Sequence, residues 1–253
     1  MSHRRARHLN PKHAGATVVL DSRFMSGFAN GDAVSSWTGR TSVNATSTLT
    51  LRPTYQSGSS DMIGGNPVVK FDGSNDKMEI DSSAYSIFNN VASGYAMFVG
   101  VDDNQSGGDA TAHGFVSFAG STGQAKIALY NDRPNSNKFS NNSRRVDSGG
   151  TSTAISSLPI NVPFIGAGLA NWSGNSVTCR QNGSSGSAVT LAAGAGFSTA
   201  ADALSIRIGV YTTGAFPLPG RISLVIGISP APSSPLIKRL EHSAAISFKI
   251  KCN

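Results

Sequence analysis

Apolar residues occupy every second position in two late segments of the chain, as they do in half-buried β-strands. They are Leu204, Ile206, Ile208 and Val210 in the first segment, and Ile222, Leu224, Ile226 and Ile228 in the second. Val225 interrupts the second alternation, which predicts partial cover over the outer face of that strand. We predict that both strands belong to one sheet of a β-sandwich and are joined by residues 211–220.

A helix is predicted directly after these strands, over residues 234–244. Ser234 is a favourable N-cap, and Pro235 suits the first helical position. Three apolar residues then recur at helical spacing and would seat the helix on the sandwich: Leu236, Leu240 and Ala244.

The two ends of the chain are predicted to run side by side as strands. Residues 16–20 (Ala-Thr-Val-Val-Leu) form the first apolar run. After the helix, Ile246, Phe248 and Ile250 alternate with polar residues, which is the pattern of a closing strand.

Residues 66–80 predict a strand, a tight turn and a second strand. Residues 68–71 (Val-Val-Lys-Phe) supply β-branched and aromatic bulk. Residues 72–75 (Asp-Gly-Ser-Asn) are turn formers, because glycine reaches positive φ freely and Asp or Asn side chains bond their own backbone. Met78 and Ile80 then resume an alternation that faces one core.

Four polar segments are predicted to lie outside the strands: residues 38–66, 81–94, 102–114 and 131–157. We expect a turn or short helix at 81–94 and loops elsewhere. Irregular segments on a rigid scaffold often carry function, so the long excursion at 38–66 is a candidate contact surface. The alternative, which the sequence supports equally, is that residues 38–66 form a variable loop that binds no partner.

The composition suits a protein of many short strands and turns. Charged residues make up 14% of the 253 residues, against roughly 25% in ordinary domains. The net charge of +7 is uneven: residues 1–13 carry four basic residues and no acid, so the rest carries 17 basic minus 14 acidic, or +3. This arm could bind phosphate, an acidic surface or nucleic acid, or be a solvated tail. The body shows no basic stripe, so nucleic-acid binding is not expected.

Residues 65–76 resemble the hallmark motif of concanavalin A-like, laminin-G-type jelly-roll domains of bacterial surface and phage proteins. Their sequence is Gly-Asn-Pro-Val-Val-Lys-Phe-Asp-Gly-Ser-Asn-Asp. Further segments follow in the order that this family has them: residues 95–101, 115–120, 177–183, 216–228 and 235–245. The resemblance implies an all-β, two-sheet antiparallel jelly-roll sandwich with one short C-terminal helix. It divides the chain into a basic arm, residues 1–15, and a single domain, residues 16–253.

The chain is poor in catalytic groups. Its two glutamates, Glu79 and Glu241, lie in distant segments, whereas glycoside hydrolases use paired carboxylates. Motifs of serine hydrolases, zinc proteases and nucleotide-binding loops are absent. Glu241 and His242 are neighbours on the predicted helix, where such a pair is expected to face solvent. We therefore predict no catalytic residue, no cofactor and no enzymatic activity.

One acidic loop leaves calcium as an open alternative. Asp102, Asp103 and Asp109 lie close together in the predicted polar loop that also contains His113, and carboxylates are ligands that Ca²⁺ prefers. The spacing differs from an EF-hand loop and no glutamate follows, so we assign no metal ligand.

The two cysteines and the lack of a recognisable export signal indicate in which compartment the protein is expected to be made. Cys179 and Cys252 could pair, but two thiols in a chain of this size are more often free. No stretch approaches the roughly 20 apolar residues that cross a bilayer, and no secretory signal precedes the first apolar run near Ala14. We expect synthesis in a host cytoplasm and no membrane partner.

Two functions fit these observations. The resemblance to phage domains predicts a non-enzymatic virion protein, most simply a capsid decoration or accessory protein of a tailed phage. Its partners would be major capsid subunits or neighbouring copies in a homo-oligomeric assembly. The alternative is a glycan-binding, receptor-recognition module at a tail fibre or tip. Sugar sites need exposed aromatic side chains, and four are candidates: Tyr55, Tyr130, Trp172 and Tyr211.

Overall fold

The computed structural model describes residues 10–104, 111–118, 127–132, 138–146, 149–157, 161–199, 206–211 and 216–252. The strands are β1 (Ala16–Asp21), β2 (Ser36–Trp37), β3 (Ala45–Thr46), β4 (Thr54–Gln56), β5 (Val68–Asp72), β6 (Met78–Ile80), β7 (Ser93–Asp102), β8 (His113–Phe118), β9 (Ile127–Asp132), β10 (Lys138–Ser143), β11 (Ser152–Ser157), β12 (Phe164–Asn171), β13 (Ser176–Gln181), β14 (Ser184–Ser185), β15 (Val189–Thr190), β16 (Ile206–Ile208) and β17 (Pro219–Ile228). The α-helix α1 covers Ser234–Phe248, and short 3-10 helices cover Pro11–Ala14, Ser22–Phe24, Leu49–Leu51 and Ser82–Ala84.

The strands assemble into two sheets, and every pairing among the described residues is antiparallel. The first sheet runs β14-β13-β12-β7-β17-β5-β4, with β1 beside β17 and β15 beside β13. The second sheet runs β11-β10-β9-β8-β16-β6-β3-β2. The predicted two-sheet antiparallel sandwich with a C-terminal helix is confirmed.

The two alternating late segments do not share a sheet, so that prediction is wrong. β16 lies between β6 and β8 in the second sheet, whereas β17 lies between β5 and β7 in the first. The turn after Asp72 also connects the two sheets, because β5 belongs to the first sheet and β6 to the second. Alternation identifies the buried face of a strand and leaves its neighbours open. Leu204 lies outside the described residues.

β17 contributes side chains to two separate cores. Its register against β7 shifts between Ile222 and Leu224, which reverses the alternation. Ile222 and Val225 therefore face the central core between the two sheets. Leu224 and Ile226 face the opposite side, into a second core that we call the helix core. The prediction that Val225 is partly covered on an outer face is wrong, because Val225 is fully buried between the sheets.

Four phenylalanines fill the middle of the central core. Phe98 of β7 stacks on Phe115 of β8 with ring centroids 4.2 Å apart. Phe139 of β10 and Phe164 of β12 meet the Phe98 ring edge-on, at 5.6 and 5.2 Å. Since two of these strands belong to each sheet, the aromatic contacts hold the sheets together.

The helix core explains why α1 is longer than predicted. Ser233, one residue before the predicted cap, is the N-cap, and the helix continues to Phe248, where Lys249 turns left-handed. Ala245 and Phe248 extend the apolar face and are buried against the first sheet. The predicted closing strand after the helix is therefore wrong. β1 pairs with β17 instead.

Residues 131–157, predicted as a loop, contain the end of β9 and all of β10 and β11. The sequence does not predict these strands, because many of their residues are polar and Ser and Asn have low strand propensity. Asn141 is fully buried, and its Nδ2 donates to the Thr178 carbonyl of the facing sheet at 2.9 Å. Polar residues can thus be strand interiors when a partner satisfies them.

Two other segments are also more ordered than predicted. The excursion at 38–66 contains β3, β4 and a 3-10 helix. At the N-terminal arm, residues 1–9 lie outside the described residues. Its last residues form the 3-10 helix Pro11–Ala14, and Pro11 and Ala14 are buried. This part of the arm is therefore packed.

The two cysteines do not form a disulfide with each other and lie in different cores. Cys179 is in the central core, whereas Cys252 contacts the helix core on the other side of the first sheet. Burial raises the pKa of the Cys179 thiol to about 12. The described part of the chain has no helix with the length and apolar character that a bilayer crossing requires.

Asp76, just after the turn that follows β5, is a buried carboxylate with a perturbed titration. Its side chain is 8% exposed and accepts a hydrogen bond from the Asp72 N–H at 3.0 Å. Burial, to which the charge of Asp72 adds, raises the pKa of Asp76 to about 6. An acid whose pKa rises on folding destabilises the native state above that pKa. The penalty disappears as the pH falls toward the unfolded value near about 4.

Asp76→Asn is therefore expected to raise the free energy of unfolding by roughly 1–2 kcal/mol at about pH 7.5 and to leave it unchanged near about pH 4. Urea unfolding of both proteins at several pH values measures the difference. A gain of the same size at both pH values would show that titration of Asp76 is not its cause.

Candidate functional site

Two of the four candidate aromatic residues are core residues. Trp172 is fully buried beside Phe88, with ring centroids 5.8 Å apart, and its indole N–H donates to the Arg144 carbonyl. Tyr55 is 8% exposed and packs on Phe28. Both side chains belong to the central core, so neither ring is available to stack on a sugar.

The other two candidates lie together on the outer face of the second sheet. Tyr130 of β9 alternates with Leu129, which faces the central core, so Tyr130 points away from it. Tyr130 is only 9% exposed because it is covered on this face, and its ring lies 5.0 Å from that of the half-buried Tyr211. Phe216, which sequence reasoning did not select, lies 6.0 Å from Tyr211 and is 38% exposed. We call Tyr130, Tyr211 and Phe216 the aromatic group.

Gly114 is the residue that lets the aromatic group form. It pairs with Tyr130 across β8 and β9, and its N–H donates to the Phe216 carbonyl at 3.0 Å. A Cβ at this position would lie 2.2 Å from the backbone N of Tyr211. Only glycine allows the segment that carries Tyr211 to lie this close to the sheet.

Polar atoms surround the rings. The Asn142 Nδ2 donates to the Tyr211 hydroxyl at 3.0 Å. Ser140 is fully buried, and the side chains of Ser140 and Asn142 hydrogen-bond with the Tyr130 hydroxyl. Hydrogen bonds within the protein therefore hold the polar groups around the two phenols in place.

Both phenols remain neutral at physiological pH. Burial, to which the neighbouring Tyr130 adds, raises the pKa of Tyr211 to about 12. Burial likewise raises the pKa of Tyr130, and the charge of Asp132 adds to the rise. Neutral hydroxyl groups both donate and accept hydrogen bonds, which suits partners that carry many hydroxyl groups.

A polar cavity of about 380 Å³ begins where the aromatic group ends, since Pro217 follows Phe216 and lines it. The other lining residues are Asp72, Gly73, Asp103, Asn104, Thr111, His113 and Pro219. His113, predicted to be in a loop, is a buried residue of β8. It was missed because a single His in a Gly-rich polar segment carries no strand signal.

Within this region the acidic residues that suggested calcium have protein partners. Asp102 is fully buried and lies 2.9 Å from His113 Nδ1 and 2.6 Å from Asn131 Nδ2. Burial tends to raise the pKa of Asp102, but hydrogen bonds from His113 and Asn131 outweigh it, so the pKa is lowered. Asp103 forms a bidentate pair with Arg221 at 2.7 and 2.6 Å.

Asp109 lies outside the described residues. Among the residues that the structure does describe, no group of three or more His, Cys, Asp or Glu side chains is placed to hold a metal ion. A calcium site at this loop stays a prediction.

The two glutamates are far from a catalytic arrangement, but Glu241 does not face solvent as predicted. It is 1% exposed and accepts hydrogen bonds from Arg180 at 2.7 and 2.8 Å. The Tyr95 hydroxyl donates to the same carboxylate at 3.2 Å. Glu79, by contrast, pairs with Arg207 on the surface. His242 beside Glu241 is exposed.

No model of a protein family and no curated protein matches the sequence. Solved structures do match. A sialidase of Trypanosoma rangeli matches 92% of the chain at 14% identity with a TM-score of 0.57. The receptor-binding domain of botulinum neurotoxin D matches 92% at 10% identity with a TM-score of 0.63. The CBM40 of a Ruminococcus gnavus sialidase, solved with α2,3-sialyllactose, matches 69% at 13% identity with a TM-score of 0.53.

The fold is a jelly-roll-like β-sandwich. The chain spans 33% of the length of the T. rangeli sialidase, 54% of the neurotoxin domain and 96% of the CBM40. At these identities the likeness establishes the architecture alone. The resemblance to phage domains, and a place in a virion, stay predictions.

Proposed function

We propose that the protein is a non-catalytic glycan-binding module and that the aromatic group is its sugar-binding surface. The observation that carries the proposal is the placement of the exposed Phe216 ring beside the half-buried Tyr211, which packs on Tyr130 and whose hydroxyl meets the Asn142 amide. Aromatic walls with a few fixed polar groups are the usual construction of a small-ligand site. A sugar ring offers both an apolar C–H face for the rings and hydroxyl groups for Asn142 and the Tyr211 hydroxyl.

Two further findings support this reading. Glu241 and Glu79 are each engaged by an arginine in different parts of the fold, so no described glutamate pair is placed to cleave a glycosidic bond. Two of the structural neighbours are named as a receptor-binding domain and as a carbohydrate-binding module bound to a sialylated sugar. A receptor-recognition role thereby gains support over capsid decoration.

The test is a glycan array probed with the labelled protein, followed by titration of the best sugar. Phe216→Ala should weaken binding roughly two- to tenfold, which is the contribution of one aromatic contact. Tyr211→Phe should also weaken it, because the variant keeps the ring but loses the hydroxyl that meets Asn142.

Phe197→Ala is the matched control. Phe197 is 62% exposed and makes no ring contact with the aromatic group, so its removal should leave binding unchanged. Binding that is insensitive to both Phe216→Ala and Tyr211→Phe, or an array without any bound glycan, would refute the proposed site.

A further inference from the structure

A second cavity, of about 300 Å³, lies between α1 and the first sheet; we call it the helix cavity. Its floor is apolar and consists of Met97, Leu224, Ile226, Leu240, Ala244 and Phe248. The volume equals that of about ten water molecules, which leaves room for a short acyl chain. It stands at the lower end of the range for small-molecule sites.

Two guanidinium groups stand at the rim of the helix cavity. Arg23 is held by the buried carboxylate of Asp21, with Nε and Nη2 at 2.8 and 2.6 Å from its oxygens. Arg40 lies 3.9 Å from the same carboxylate and stacks on Phe24 at 4.1 Å. Two cations thus share one carboxylate, so the rim keeps an excess of positive charge.

Arg40 is the rim group that can take an anion. The Asp21 oxygens are already engaged by Arg23, and within the described residues nothing accepts a hydrogen bond from the Arg40 guanidinium. Phe24 beside it is 55% exposed, which places an apolar ring next to the cation. Asn10, Ser243 and Ser247, which also line the cavity, carry no charge.

We propose that the helix cavity binds a medium-chain carboxylate, with the acyl chain on the apolar floor and the carboxylate on Arg40. An arginine fork matches a carboxylate in shape and charge. The floor accepts methylene groups, and the excess positive charge at the rim excludes amphiphilic cations. This site is separate from the aromatic group on the second sheet. A test of carboxylate binding therefore does not depend on whether the protein binds a glycan.

The experiment is calorimetric titration of the full chain with hexanoate, octanoate and decanoate. Each added methylene should tighten binding about fourfold while it remains inside the cavity. Octylammonium, which has the same chain and the opposite charge, should not bind. Arg40→Gln should weaken octanoate binding about tenfold, whereas Arg40→Lys should weaken it less, because it keeps the charge.

Arg239→Gln is the matched control, since Arg239 lies on the exposed side of the same helix and its loss removes an equal charge. It should leave binding unchanged. Ser243→Leu, which narrows the cavity from α1, should weaken binding without removing charge, and it serves if Arg40→Gln fails to fold. Absence of octanoate binding, equal binding of octylammonium, or full affinity in both Arg40→Gln and Ser243→Leu would overturn the proposal. A change of oligomeric state without a saturable ligand signal would assign the cavity to a second copy and also overturn it.

Discussion

Replacing Glu241 by alanine is expected to lower the free energy of unfolding by about 3–5 kcal/mol, the usual cost of leaving one charge of a buried pair without its partner. Arg180 is only 9% exposed, and two of its nitrogens donate to the Glu241 carboxylate. The pair joins α1 to β13 of the first sheet. Without it, Arg180 keeps a charge that water reaches poorly, and the Tyr95 hydroxyl loses its acceptor. Urea unfolding measures the loss.

Two variants separate this explanation from a general loss of contacts. Arg180→Met combined with Glu241→Leu removes both charges, so it should recover most of the stability or exceed it. Glu79→Gln removes one partner of the exposed pair with Arg207 and should change stability by about 1 kcal/mol or less. A double variant as unstable as Glu241→Ala would show that the buried pair is not the reason.

Phe98→Ala is expected to cost about 3–5 kcal/mol, because it removes the ring on which the phenylalanine cluster of the central core converges. Phe98 contacts Phe115, Phe139 and Phe164, which come from both sheets. The three remaining rings cannot close the space without moving a strand, so a cavity remains. The midpoint of guanidinium unfolding should fall while the slope of the transition stays constant.

The comparison for this variant is Phe197→Ala, which removes a ring of the same size from an exposed position. It should change stability by about 0.5 kcal/mol or less. If the two variants cost the same, burial in the cluster would not be what makes Phe98 important.

The sequence predicted the architecture well and the pairing of strands poorly. Alternation correctly marked Ile206, Ile208, Leu224 and Ile226 as buried, because it reports which face of a strand meets a core. It could not reveal the register shift at Ile222, which depends on the neighbouring strand. It also missed the polar strands around Asn141, whose burial depends on acceptors from the facing sheet.

The sequence predicted two of the three aromatic residues of the candidate site. Tyr130 and Tyr211 were chosen by residue type, but only the fold shows that they lie on the outer face of a sheet, whereas Tyr55 and Trp172 lie in the central core. The burial of Glu241 did leave a signal in the sequence. It stands four residues after Ile237 and three before Ala244, on the apolar face of the helix. A charged residue on the apolar face of a helix predicts a buried partner of opposite charge. It does not favour a solvent-exposed pair with His242.

The central position of β17 also governs when the protein can fold during its synthesis. β7, β5 and β1 all pair with β17, which ends only at Ile228. The ribosome must therefore deliver every residue up to Ile228 before the middle of the first sheet can close. Until then β7 presents an unpaired edge rich in apolar residues, the kind of surface that favours aggregation. Pairings this distant in sequence also make folding slow, so recombinant yield should depend on chaperone supply and on growth temperature.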